Sequence, residues 1–123
     1  MKYLILIYGN PESRAIWEGF SDAERAEGYA FYAALEEEIA ASGELIVAEA
    51  LTDPSLTKRV AVREGEMMTT DGPFAESKEL LAGFFLLECE SMERALEHAS
   101  RVPEAELGLV EVRPVLDLGG LEM

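Results

Sequence analysis

The stretch Asp71-Gly72-Pro73-Phe74-Ala75-Glu76-Ser77-Lys78-Glu79 joins two runs that read as strands, Met67–Thr70 before it and Leu80–Cys89 after it. Gly72 and Pro73 are the backbone specialists of a tight turn. Pro73 fixes its own φ and pushes Gly72 out of the helical region. Asp71 stands where an Asp accepts backbone N–H groups from residues two or three further on. Phe74 is placed to anchor the turn in the core. Pro73–Glu76 can open a short helical turn, which Glu76 suits electrostatically. The turn therefore closes a hairpin on one side and launches a central strand on the other.

Working back from it, Lys58–Arg63 alternates, with Val60 and Val62 on one face and Arg59, Ala61 and Arg63 on the other. Glu64-Gly65-Glu66 turns this run into Met67–Thr70 as a hairpin. Thr52-Asp53-Pro54-Ser55 separates it from another strand, Glu44–Leu51. Ser21-Asp22-Ala23-Glu24 has capping-box spacing. The helix it opens carries Gly28, Phe31, Tyr32, Leu35 and Ile39 as one buried stripe, and Gly43 stops it. Glu36-Glu37-Glu38 falls on its solvated side. Lys2–Tyr8 is a strand with two apolar faces, ended by Gly9-Asn10-Pro11. Glu12–Phe20 reads as a short amphipathic turn with Trp17 as a packing residue.

Working forward, Leu80–Cys89 is apolar on both faces, and Gly83 inside it marks close backbone approach or a bulge. Ser91 caps a second helix with Met92, Ala95, Leu96, Ala99 and Val102 inward, closed by Pro103. Leu109–Leu116 is the last strand, and the tail Asp117–Met123 packs on the surface or on a partner. Strand, helix, strand, hairpin insert, strand, helix, strand is a βαβ-βαβ pattern. It predicts one domain over 1–123 with an α+β, ferredoxin-like sandwich. Helices on one sheet face leave the other apolar face uncovered, which predicts a homodimer packed sheet against sheet.

Composition narrows the partners. The chain has 123 residues and a formal charge of −15, from 10 basic and 25 acidic residues. Nucleic acid requires clustered Lys and Arg, so it is excluded as a partner, and anionic membrane surfaces are disfavoured. No apolar run approaches the roughly 18 residues of a membrane span. The run Tyr3–Tyr8 is too short for a signal peptide core, which makes the expectation a soluble, cytoplasmic protein. Cys89, the one cysteine, permits no internal disulfide and reads as a small buried hydrophobe.

Candidate chemistry is sparse. Asp71 is either a turn residue or a carboxylate at a cleft mouth that accepts a proton or holds a polar group. Arg59, Arg63, Glu111 and Arg113 either line a cleft that binds a carboxylate or phenolate, or form structural ion pairs at the dimer edge. His98 lies off the apolar stripe beside Arg94 and Arg101 and reads as an exposed surface histidine. Tyr29 and Tyr32 read as helix packing. One His and one Cys make no zinc-type site, and no dinucleotide, Walker-type or nucleophile-elbow motif is present. No cofactor or metal is implied.

Thr70–Glu79 closely resembles the signature of YCII-related proteins of the DGPF type. The resemblance extends through Met1–Gly9, Gly83-Phe84-Phe85, the Ser91–Pro103 helix and Val110-Glu111-Val112-Arg113-Pro114. It implies a ferredoxin-like subunit in a dimeric α/β barrel, in bacterial, cytoplasmic proteins, some of which accompany or are fused to extracytoplasmic-function sigma factors. In the wider group a cleft His–Asp pair has been proposed as catalytic, and one branch eliminates chloride from a chlorinated aromatic. Here Asp22–Ser42 carries no histidine, and His98 does not match that position, so the pair does not transfer. Only Asp71 and Glu76 match the branch's own motif as catalytic candidates. Two functions follow as expectations. One is a dimeric cleft protein for a small polar or anionic organic molecule, of lyase or hydrolase type if it is an enzyme. The other is a non-catalytic accessory or sensor module in sigma-factor-dependent transcription.

Overall fold

Alternation in the first strand sets the layers. In β1 (Lys2–Gly9) Tyr3, Ile5 and Ile7 are buried, while Leu4, Leu6 and Tyr8 are half-buried on the opposite face. The computed structural model describes residues 1–119. The remaining elements are α1 (Pro11–Glu18), α2 (Asp22–Ala41), β2 (Leu45–Ala50), β3 (Lys58–Arg63), β4 (Glu66–Asp71), β5 (Leu80–Glu88), α3 (Met92–Ala99) and β6 (Val110–Pro114), with 3₁₀ turns at Pro54–Leu56 and Pro103–Leu107. The main sheet has four strands in the order β2-β5-β1-β6, and every neighbouring pair is antiparallel. This is the expected ferredoxin-like α+β arrangement. β3 and β4 form a separate two-stranded sheet. The expected tail falls partly beyond the described residues.

The core lies between the helices and one face of the sheet. Ile5, Ile7, Phe85 and Leu87 meet Leu35, Ile39, Ala99 and Val102 there. Cys89 is buried beside Tyr3 and Ala95, and burial holds its thiol above the ordinary value. Ser21 and Glu24 form the expected capping box at 3.1 and 2.9 Å. Asn10, read only as a chain break, also caps a helix: its side chain accepts from Ser13 N at 2.8 Å. Trp17 packs edge-on to Tyr29, with ring centroids 5.3 Å apart.

The inward stripes differ from the helical-wheel expectation. Phe31 and Leu96 are both 49% exposed, whereas His98 is 4% exposed. His98 is thus a buried residue, a correction to its reading as a surface histidine. The cause is a carboxylate far away in sequence. Glu44, just before β2, lies 3.0 Å from His98 Nε2 and accepts from Arg94 Nε and Nη2 at 3.0 and 2.9 Å. Ser42 Oγ donates to it as well, at 2.7 Å. A carboxylate only accepts, so Nε2 carries the proton. These bonds, led by Arg94, pull the Glu44 carboxyl down to about 2. The cluster pins α3 to the α2–β2 loop. Tyr32 makes a second tie by donating to Glu104, and burial, with Glu104 beside it, raises its phenol.

Gly83 combines both expected roles. The β1–β5 register slips between Ile7 and Tyr8, opposite Gly83 and Leu81. A Cβ on Gly83 would stand 2.9 Å from the Glu49 carbonyl oxygen, so β5 and β2 need its absence.

Two outcomes are expected. Gly83→Val forces these strands apart, costing about 1–3 kcal/mol in urea unfolding. Glu44 binds its proton more readily unfolded, so the ion cluster stabilises the protein fully above about pH 5 and loses this contribution as pH falls toward the folded value of about 2. The stability gap between the wild type and Glu44→Gln, measured by thermal melts, should be largest near neutrality and close progressively below about pH 5.

Candidate ligand-binding cleft

The two-stranded sheet is a hairpin that leaves the main sheet after β2 and returns before β5. Its tip residues Glu64 and Gly65 have φ of 50° and 81°, the positive pair that a two-residue hairpin turn demands. Its root is tied twice. Gly72 N donates to Thr57 O at 2.7 Å, and Leu51 N donates to Ala82 O at 2.8 Å. Gly72 reaches its bond with φ +84°, a conformation glycine adopts without a Cβ clash.

A cleft of about 560 Å³ opens at this root. Leu51, Leu56, Val60, Leu80 and Leu81 supply apolar wall, and Thr52, Thr57, Lys58, Ser77 and Glu79 supply polar groups. Pro54, Pro73, Phe74 and Arg59 complete it. Phe74 is 68% exposed, so it does not anchor the turn in the core as expected. It lies instead under Arg59, whose Cζ is 5.6 Å from the ring centroid. Pro73–Glu76 makes no helix; Ser77 N closes a turn onto Phe74 O at 3.1 Å. The half-buried Arg59 has its Nε buried and without a hydrogen-bond partner. A buried donor of this kind is costly to leave unpaired. Arg14 Nη1, on α1, is the other buried side-chain polar atom in that condition among the described residues.

The other sequence candidates are distributed around this cleft. Asp71 ends β4 opposite Lys58. Its carboxylate, 82% exposed, pairs with the Lys58 ammonium and not with N–H groups of its own turn. Asp71 and the exposed Glu76 do not line the cleft. Arg63 shares the Arg59 face of β3 but stands at the far end of the hairpin, opposite Glu66. Glu111 and Arg113 lie on β6, opposite Leu6 and Leu4 of β1, and so on the uncovered face of the main sheet. A smaller cleft of about 270 Å³ lies there, with Tyr8, Glu79 and Glu111 in its wall. Burial, then the Glu111 carboxylate, raises the Tyr8 phenol. The structure therefore separates Arg59 from Glu111 and Arg113, and Glu79 borders both clefts. Phe74, Lys58 and Glu79 were not singled out as site residues, although the motif itself contains two of them. Among the described residues, no group of three or more His, Cys, Asp or Glu side chains is arranged to hold a metal ion.

Comparison with known proteins agrees with this architecture. The model of the YCII-related domain matches residues 1–119. An uncharacterized protein of Rhizobium meliloti (strain 1021) is 31% identical over 117 residues, covering 94% of this chain and 92% of that one. Among solved structures, a 5-chloro-2-hydroxyhydroquinone dehydrochlorinase from Burkholderia phenoliruptrix AC1100, in complex with 2,5-dihydroxybenzoquinone, superposes with a TM-score of 0.53. It is 18% identical, with 94% of each chain covered, and the likeness is one of fold. The chain belongs to the YCII-related family.

Proposed function

We propose that this YCII-related chain binds a small organic anion in the cleft at the hairpin root, with Arg59 as the anchoring cation. The buried, unpartnered Arg59 Nε beside Phe74 carries the reading. The volume suits a small molecule, and the walls suit an apolar body held by a few polar groups. A neighbour of like fold holds a small ring compound, which is compatible with such a ligand and no more. Turnover of lyase or hydrolase type would draw its proton acceptor from Glu79, the one carboxylate in the cleft wall among the described residues. Asp71 and Glu76 fit that role less well, because neither borders the cleft. No observation favours the accessory role in sigma-factor-dependent transcription.

The working unit in this reading is a homodimer. Helices cover one face of the main sheet. The other carries Leu4, Leu6, Tyr8, Phe84 and Leu86, all half-buried, with Val47 at 37% and Leu81 at 40% exposure. A contiguous apolar face of this kind marks an interaction surface, and a second copy brings an equally apolar one. Glu111 and Arg113 then lie at the interface as ion-pairing residues, and Arg63 lies out on the hairpin. Among the described residues no helix is long and apolar enough to cross a membrane.

Two measurements check this. Light scattering should give twice the chain mass of 13.5 kDa, and Phe84→Asp should shift it toward the monomer; a monomeric wild type at micromolar concentration refutes the dimer. Native mass spectrometry of protein purified from its own host should find a retained small molecule that Arg59→Gln releases. Retention unchanged by Arg59→Gln removes Arg59 from the site.

A further inference from the structure

We propose that the ligand class of this cleft is an aromatic monocarboxylate, a deepening that rests on the cleft reading above. The argument starts at Arg59. The Arg59 guanidinium lies over the Phe74 ring, with Cζ 5.6 Å from the ring centroid. The in-plane Nε–H is left buried and unpaired. A ligand group that satisfies it must approach in the plane of the guanidinium, because its N–H donors lie in that plane. A carboxylate does so with two coplanar oxygens, one to Nε–H and one to the neighbouring Nη–H, the fork geometry that favours Arg over Lys.

The charge should be single. Among the described residues the cleft wall holds one carboxylate, Glu79, and the second cation there, Lys58, is already paired with Asp71. The chain carries a formal charge of −15, so a phosphate dianion meets one uncommitted cation in a repulsive field. A phenolate offers one oxygen and leaves half of the fork unused.

The body should be aromatic. Leu51, Leu56, Leu80 and Leu81 present apolar wall. A flat ring buries more of that wall per frozen torsion than a flexible aliphatic chain, so it loses less entropy on binding. Phe74 adds an edge or face for a second ring. Thr52, Thr57 and Ser77 can hydrogen-bond ring hydroxyls.

The test is calorimetric titration of the full chain with benzoate, benzamide and acetate, in the wild type, Arg59→Gln and Arg59→Lys. Benzamide keeps the ring and removes the charge; acetate keeps the carboxylate and removes the ring. Benzoate should bind the wild type about 10- to 100-fold tighter than either. Arg59→Gln should bring benzoate to the benzamide level, and Arg59→Lys should leave it weaker than wild type because the fork is lost while the charge remains. Circular dichroism of each variant establishes that it is folded. Benzamide or acetate equal to benzoate, or no benzoate binding at millimolar concentration, overturns the ligand class. The cleft reading itself is judged separately, by the host-retained ligand and its response to Arg59→Gln.

Discussion

A four-stranded sheet with helices on one face has a second face to account for, and most of this molecule follows from that imbalance. β1 carries large side chains on both sides: Ile5 and Ile7 are buried under the helices, while Leu4, Leu6 and Tyr8 remain half-buried on the other side. The two sides of one strand cannot be traded without shifting register, since a one-residue slip exchanges them. The uncovered side is therefore fixed by the same pairing that builds the core. Glu111 and Arg113 occupy it because they alternate with Val110 and Val112, which pair with Ile7 and Ile5 of β1.

The hairpin is the second consequence. Two strands alone are marginal in water, and Val60, Val62 and Met67 are each more than 60% exposed, at 64%, 68% and 72%. What holds the hairpin is its root, where Gly72 and Leu51 make their backbone bonds. The root is also where Arg59, Phe74 and Glu79 converge. The tight turn thus shapes a cleft while it reverses the chain. Its charged residues do not all contribute: Asp71 is engaged with Lys58 and does not itself line the cleft, and neither does the exposed Glu76.

The layered fold was legible because strand alternation, capping residues and breakers are local signals. Ser21–Glu24 and the Glu64-Gly65 turn needed only neighbours a few residues away. Phe31 and Leu96 were misplaced because a helical wheel fixes spacing but not rotation against the sheet. His98 was misplaced for a different reason. Its burial depends on Glu44, 54 positions away in the chain, and no local pattern announces such a partner. The site was legible only in part. Strand alternation put Arg59 and Arg63 on one face, which the structure keeps, but alternation carries no information on where that face meets the main sheet. Phe74 read as a core anchor because large apolar side chains are usually buried, and here it is 68% exposed beneath a guanidinium.

The balance of charges gives Arg59 its weight. With 25 acidic and 10 basic residues, carboxylates outnumber cations in this chain, and four of the cations take one. Arg94 takes Glu44 and Glu97, Arg101 takes Glu38, Arg25 takes Asp22 and Lys58 takes Asp71. Carboxylates are abundant enough that a guanidinium could be satisfied from almost any surface. Arg59 has Glu79 in the same cleft wall and still leaves its Nε unpaired. A donor held by an aromatic ring and a cleft wall, with its hydrogen bond unmade, is preorganised for an anion from outside, because the cost of ordering it has already been met by the fold.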